Sequence, residues 1–203
     1  MFFMVSTCTQ RQENQRAPDR RGLIPGLFLT LLAAASPAFG DQNDPRLDPL
    51  FSALRQAEDV TKARSAEAGI WRIWSQYGDD PIIDRMMRHG ARLMAAEQMK
   101  RAAEVFDQVV IRAPAFAEGW NRRATLRFLT GDFDGSVADI RQVLNLEPRH
   151  FGALSGLGLI YMALEQPQGA LKAFERALQI NPHMTSARRH AEHLRAQLKG
   201  QRL

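Results

Sequence analysis

Apolar residues recur at spacings of three and four along most of the chain, the pattern of α-helices that bury one face. Two such stripes lie between residues 46 and 80, and a third, narrower one lies between residues 184 and 199. Their members are Leu47, Leu50, Phe51 and Leu54, then Ala63, Ala66, Ile70, Ile73 and Trp74, and finally Ala187, Ala191, Leu194 and Leu198. The segment from Gly78 to Pro81 breaks the pattern, and Gly200 ends the last stripe. The chain is therefore predicted to be all-α.

The middle of the chain repeats itself. Pro114, Pro148 and Pro182 are evenly spaced, and counting back from each as position 32 gives three gap-free units of 34 residues, at 83–116, 117–150 and 151–184. Small residues recur at positions 8 and 20 and large apolar ones at position 24. These are Gly90, Ala124 and Gly158; Ala102, Ser136 and Ala170; and Phe106, Ile140 and Phe174. Small residues at positions 8 and 20 let two helices approach closely, and position 24 fills the space around them.

This period and pattern resemble the tetratricopeptide repeat (TPR), a helix–turn–helix unit. The third unit is the best match, with Leu157, Gly158, Tyr161, Ala170, Phe174, Ala177 and Pro182. The second unit departs from the pattern, because Arg123 stands at position 7, where leucine is usual, and Arg127 at position 11. The resemblance implies an α-α superhelix, a TPR solenoid of three repeats, with an N-terminal helical pair that caps the first repeat and a C-terminal capping helix.

The resemblance also implies a partner-binding groove on the concave face, lined by positions 2, 5, 9 and 12 of the first helix in each repeat. Arg88 and Arg122, at position 6, are further candidates, either to contact a partner carboxylate or to stay solvated. The groove positions carry Asp84, Met87, Ala91 and Met94, then Glu118, Asn121, Thr125 and Phe128, and finally Gly152, Ser155, Leu159 and Met162. Some family members hold a C-terminal carboxylate with a Lys/Asn/Arg clamp, which the matching positions here lack. An adaptable apolar groove suits an extended or helical peptide.

The first forty residues read as a secretory signal. Arginines precede a short uncharged apolar stretch at 23–35, and Ala38 and Gly40 form a small-x-small cleavage site before the polar start at Asp41. The apolar stretch is shorter than the roughly 20 residues of a spanning helix, so cleavage is favoured and no stable membrane span is expected afterwards. Arg20 and Arg21 leave general and twin-arginine export both open. The chain is thus expected to be periplasmic or secreted, or membrane-anchored if the signal is retained.

These features divide the chain into a signal peptide at 1–40, an N-terminal helical cap (a divergent repeat) at 41–82, TPR units at 83–116, 117–150 and 151–184, and a C-terminal capping helix at 185–203.

Apolar residues make up 45% of the chain, enough for a continuous core. The net charge of +5 does not indicate nucleic acid, because basic and acidic residues are interspersed and no block of like charges occurs. Cys8, the single cysteine, lies in the signal, which excludes a disulfide from the rest of the chain.

Candidate chemistry is sparse. His190 and His193 share a helix, but no third ligand accompanies them and arginines flank them, so a solvated face is expected. Asp132 and Asp134, like Asp79 and Asp80, fall in predicted turns where aspartate caps the next helix. No base, nucleophile or oxyanion donor converges with them. We therefore expect no enzyme activity, no cofactor and no metal.

The sequence thus predicts a protein–protein interaction adaptor or scaffold of the bacterial cell envelope, which binds a partner peptide or protein in the concave groove. Two alternatives stay open. One is a self-assembling structural module that forms a homo-oligomer through the exposed ends of the array, and the other is a non-catalytic subunit of an envelope enzyme complex.

Overall fold

The computed structural model describes residues 41–78 and 80–200, and this part of the chain consists of nine α-helices with no strand. The predicted all-α superhelix is confirmed. The predicted signal peptide, at 1–40, lies outside the described residues. The helices are α1 (Leu47–Gln56), α2 (Val60–Trp74), α3 (Pro81–Ala95), α4 (Met99–Arg112), α5 (Ala117–Leu129), α6 (Phe133–Leu146), α7 (Phe151–Ala163), α8 (Pro167–Ile180) and α9 (Thr185–Gly200). None of the helices in these ranges is long and apolar enough to cross a bilayer.

Each repeat is a helical hairpin with the same internal turn. Position 15 adopts a left-handed backbone in all three hairpins, with φ of 56° at Glu97, 83° at Gly131 and 54° at Glu165. In each hairpin the next residue donates its backbone N–H to a carbonyl five residues earlier, at 2.8–2.9 Å. This bond is typical of the Schellman end of a helix, and it reverses the chain within a few residues.

Close packing inside each hairpin follows the small and large positions. A Cβ built on Gly90 would lie 2.6 Å from the ring of Phe106, and one on Gly158 would lie 2.7 Å from the ring of Phe174. The second repeat pairs Ala124 with the narrower Ile140, and both are buried. A large side chain at position 24 therefore occurs opposite glycine, and a smaller one opposite alanine.

The two arginines that depart from the repeat pattern in α5 belong to a charged cluster. Arg123 donates to both oxygens of the buried Asp139 of α6, at 2.9 and 2.7 Å, and to Asp107 of α4 at 2.9 Å. Arg127 lies 3.0 Å from the same Asp139 carboxylate. The hydrogen bonds that Arg123 donates to Asp139 raise the pKa of Arg123 despite its partial burial. An acid on α6 thus compensates for the arginine that replaces leucine.

The last helix, α9, packs against the third repeat. Ala187, Ala191 and Leu194 are buried in one cluster with Ala170 and Phe174. The arginines of α9 point away from this cluster and are exposed. Helix α9 therefore covers the end surface that the third repeat would otherwise present to solvent.

The N-terminal hairpin, residues 41–77, lies along the turns that follow the three repeats. These turns, at 113–116, 147–150 and 181–184, form what we call the inter-repeat edge. The first half of this hairpin, which we call its outward leg, contacts position 33 of each repeat in chain order. Gln42 donates to the Ala115 carbonyl at 2.6 Å, Asp48 accepts from Arg149 at 2.6 Å, and the Leu54 carbonyl lies 3.1 Å from Nε2 of His183.

The return leg of the N-terminal hairpin runs back along the same edge. Trp74 stacks on the ring of His150, with ring centroids 4.1 Å apart and an interplanar angle of 8°. Trp71 packs edge-on to Phe151, and Tyr77 lies against Phe116 in the first turn. The first half of the N-terminal hairpin therefore contacts all three turns, and the second half contacts the second and the first.

This position corrects the predicted cap on the first repeat. The buried cluster of α1 and α2 includes Phe151, with Ile180 and Met184 packed against it, all from the third repeat and the turn that follows it. Gly152 explains the preference, because its missing Cβ leaves the space that the Trp71 ring occupies, 2.6 Å from the ideal Cβ position. The aromatic side chains of α2 therefore find a fitting surface at the start of α7.

Candidate partner-binding groove

A groove of about 350 Å³ lies between the second and third repeats. Helices α5 and α7 supply its two walls, α6 contributes Ser136 and Ile140, and Met184 closes one side. The sequence predicted these walls, since both are first helices of their repeats. It does not predict the contribution of α6, because Ser136 and Ile140 stand at positions that pack the two helices of one repeat.

Six of the positions that the sequence predicted for the groove surround it together. They are Asn121, Thr125, Phe128, Gly152, Ser155 and Leu159. The polar members, Asn121, Thr125 and Ser155, are uncharged, and the apolar ones offer an aromatic and an aliphatic surface. Partner contact by these residues stays a prediction.

Gly156 is a groove residue that carries a signal in the sequence. It stands at position 6, where the first two repeats carry Arg88 and Arg122. A Cβ at Gly156 would meet a single atom within 4 Å, Cδ1 of Ile140 at 3.9 Å, so helix packing does not require glycine here. Glycine inside a helix costs roughly 0.5–1 kcal/mol relative to alanine. Its effect at this position is to keep the wall of the groove open.

Glu118, a predicted groove residue, is instead buried in a hydrogen-bonded cluster beside the groove. Its carboxylate accepts from Nε of Arg122 at 2.7 Å and from the amide of Asn121 at 2.8 Å. It lies 3.3 Å from Nε2 of His150, whose Nδ1 accepts from the Ala153 N–H at 3.0 Å. Because Nδ1 is an acceptor, Nε2 carries the proton and donates to Glu118.

Opposing influences act on the Glu118 carboxyl. Burial, the largest, raises its pKa, but the bonds from His150 and Asn121 and the charge of Arg122 together outweigh it and hold the pKa below its ordinary value. The residue is therefore an anion with its partners already in place. Its role is to join α5 to the start of α7, and it is not available to a partner.

The predicted residues of the first repeat do not reach the groove. Asp84 accepts from the Tyr77 N–H at 2.8 Å, which ties the N-terminal hairpin to α3. Met87 is buried with Phe106 and Leu126, because α5 stacks over it, and Met94 packs against the same cluster. The predicted continuous concave face is therefore corrected at Met87 and Glu118, which are core residues.

Four other predicted residues lie elsewhere on the surface or at its margin. Arg88 and Ala91 are exposed on α3, and Arg122 is half-exposed while it pairs with Glu118. Met162 lines a separate cavity that includes His193 of α9. The groove of the structure is thus shorter than the predicted one, and it belongs to the second and third repeats.

The remaining candidate groups have local roles. The side chains of Asp80 and Asp132 accept from backbone N–H groups at the starts of α3 and α6, as predicted for turn aspartates. His190 stacks on Phe174, with centroids 5.1 Å apart, whereas His193 is exposed. Within residues 41–78 and 80–200, no group of three or more His, Cys, Asp or Glu side chains could hold a metal ion.

Comparison with known proteins connects this geometry to one repeat family. Two family models match the chain, both described as tetratricopeptide repeat, over residues 87–140 and 152–184. A TPR repeat-containing protein of Rhizobium etli is 39% identical over 157 residues, which cover 77% of this chain and 76% of that protein. The two matched segments include α5 and all but the first residue of α7, the helices that line the groove.

Solved structures share the fold at low identity. The Sgt2 TPR domain of Aspergillus fumigatus superposes with a TM-score of 0.56 at 21% identity, covering 59% of this chain and 81% of that domain. The first TPR domain of Spaghetti (RPAP3), solved with an HSP90 peptide bound, gives a TM-score of 0.56 at 19% identity, covering 58% and 93%. At these identities the likeness concerns the fold.

Proposed function

The chain belongs to the tetratricopeptide-repeat family, and on that premise we propose that it is a non-catalytic adaptor whose groove between the second and third repeats binds a segment of a partner protein. The observation that carries the proposal is the groove itself, which packing leaves unfilled. Its volume is about 350 Å³ and its lining is mostly apolar. The helices that form its walls are packed against neighbouring helices of the array, so they lose little conformational entropy when a peptide binds.

The lining of the groove indicates the kind of segment. Phe128 and Leu159 offer apolar contact, and the nearby polar groups of Thr125 and Ser155 are uncharged. The anionic Glu118 lies beside Asn121 at one wall. A segment with an apolar anchor and uncharged polar flanks fits this surface better than an acidic tail, although a similar TPR domain was solved with an HSP90 peptide.

We further propose that the adaptor works in the envelope of a two-membrane bacterium. The support for this is the signal-like composition of residues 1–40, with its apolar stretch and the small residues Ala38 and Gly40. The chain that carries out the function would then begin at Asp41. This residue directly precedes Gln42, which is the first of the described residues to bind the inter-repeat edge.

A plug variant tests the groove. Gly156→Leu places an aliphatic side chain where only Ile140 lies within 4 Å, so the groove is filled while helix propensity improves by about 1 kcal/mol. We expect crosslinking from a photoreactive residue at Thr125, in cells of the source organism, to fall by about tenfold or more. Phe128→Ala should weaken crosslinking similarly while helicity is unchanged. The melting temperature of Gly156→Leu should not fall.

Two controls distinguish partner capture in the groove from nonspecific capture by the protein surface. A photoreactive residue at Asn145, exposed on α6, should not capture the same partner. Ala163→Leu adds the same side chain to exposed surface at the end of α7 and should leave capture from Thr125 intact. Undiminished capture by Gly156→Leu would refute the groove.

Signal cleavage is tested on the same chain. Its mass should correspond to a start at Asp41, and an intact residue 1 would refute cleavage.

A further inference from the structure

The first repeat presents an end surface that the N-terminal hairpin leaves uncovered. Its members are Ile82, Arg85 and Met86 of α3 and Glu104 and Val105 of α4, around a depression of about 460 Å³. Ile82 is 47% exposed, which is high for a large aliphatic side chain. We call these five residues the α3–α4 end surface.

Repeat register shows which way this surface faces. Arg85 stands at position 3 of its unit, where the next two units carry Gly119 and Ala153. Both of those residues are buried, and a Cβ on Gly119 would lie 2.9 Å from Val109 of the preceding repeat. Position 3 therefore faces the preceding repeat in a stack. In the first repeat it carries an exposed arginine on a surface where one more helical pair could stack.

The chemistry of the surface matches that of an interface. Met86 and Val105 are partly buried and lie between charged and polar side chains, which gives an apolar centre with a polar rim. The charges are of opposite sign on the two helices, with Arg85 on α3 and Glu104 on α4. Neither takes part in an ion pair within the described part of the chain.

This distribution is self-complementary. In a two-fold pairing the same surface is used by both copies, and α3 of one copy lies against α4 of the other. Arg85 of each copy then faces Glu104 of its mate, and the apolar centres meet. We propose that the α3–α4 end surface binds a second copy of this chain, forming a two-fold dimer that leaves both grooves accessible. This surface is distinct from the proposed peptide groove.

Charge reversal tests the pairing. Arg85→Glu and Glu104→Arg each place like charges opposite one another, and each should raise the dimer dissociation constant by about tenfold or more. Mixing the two single variants should restore dimers, because the introduced glutamate of one chain then meets the introduced arginine of the other, while the unchanged Glu104 meets the unchanged Arg85. The double variant should also recover. Analytical ultracentrifugation of the full chain measures all four, with circular dichroism to verify folding.

An apolar pair of variants completes the design. Ile82→Asp should weaken the dimer comparably, whereas Ile111→Asp, on α4 but outside the surface and 68% exposed, should not. A wild-type chain that is monomeric at tens of micromolar would overturn the proposal. Dimers that survive either charge reversal, or that the mixture does not restore, would overturn it equally. Partner capture through Thr125 is measured separately and does not depend on this outcome.

Discussion

At the scale of single residues, the decisive contact in each hairpin is between positions 8 and 24. Where position 8 is glycine, a fully buried phenylalanine ring occupies the space of the missing Cβ, as with Gly158 and Phe174. Where it is Ala124, the partner is Ile140, which is narrower. The two positions therefore vary together, because the distance between the helices leaves a fixed volume to share.

We expect Gly158→Ala to destabilise the chain although alanine favours helix. The added Cβ would meet the Phe174 ring at 2.7 Å, and overpacking costs about 1–3 kcal/mol, more than the gain of roughly 1 kcal/mol in helix propensity. Phe174→Ile alone should cost about 1–3 kcal/mol. The double variant, which copies the Ala124–Ile140 pair, should be more stable than the sum of the singles by about 1 kcal/mol.

Urea unfolding followed by circular dichroism measures these differences. Gly156→Ala is the matched control, two residues earlier on α7, where the added Cβ has room and should stabilise the helix by up to about 1 kcal/mol. Additive effects of Gly158→Ala and Phe174→Ile would contradict the shared-volume explanation.

At the scale of elements, the sequence predicted what the repeat period encodes. The three helix pairs, the stops at Pro114, Pro148 and Pro182, and the buried stripe of α9 follow from local spacing. Contacts between distant parts do not. Burial of Met87 depends on α5 stacking over it, and burial of Glu118 depends on His150 and Arg122. Groove membership read from position alone therefore failed at these two residues.

The bond network of Glu118 should make the junction of α5 and α7 sensitive to acid. Its folded-state pKa lies below the ordinary value of 4.5, so the unfolded chain takes up the proton first. The stabilisation is complete above about pH 4.5 and is lost as the pH falls through the folded-state pKa. Glu118→Gln should lower the unfolding free energy at pH 7 by about 1–3 kcal/mol, and the gap from wild type should narrow in acid.

Denaturant unfolding at pH 7 and at steps down to about pH 3 measures this gap. Glu175→Gln is the control, because its partner Arg195 is a surface residue and such pairs contribute about 0–1 kcal/mol. A gap between wild type and Glu118→Gln that stays constant with pH would show that the carboxylate charge is not what stabilises the junction.

At the scale of the whole molecule, two structural units with different connections share one chain. The array from α3 to α9 buries its apolar faces between successive helices, as in a solenoid, where each repeat packs against its neighbours. The N-terminal hairpin instead contacts all three inter-repeat turns. Its Gln42 bonds to the first turn, and Arg149 and His183 of the other two turns bond to the hairpin. It therefore links the first and third repeats, which are not neighbours in the array. Its aromatic side chains lacked any repeat signal, so their location could not be read from the period.

This arrangement predicts that the N-terminal hairpin can open while the array stays folded. Trp74 is 1% exposed and contacts His150, Phe51 and Phe151, so Trp74→Ala should cost about 3–5 kcal/mol. Because the cluster it supports is mostly the hairpin's own, this loss should appear as local opening. Hydrogen exchange at amides of α1 and α2 should then accelerate by about a hundredfold or more.

The amides of α5 to α8 distinguish local from global opening. Their exchange should change little in Trp74→Ala, because the apolar clusters of the second and third repeats are built from array residues. Trp120→Ala, a tryptophan of α5 packed in the second repeat, should give the opposite pattern, with faster exchange in α5 and α6. Equal acceleration throughout residues 41–200 in Trp74→Ala would mean that the inter-repeat edge joins both units into one cooperative fold, and that the turns, as much as the stacked helices, stabilise the array.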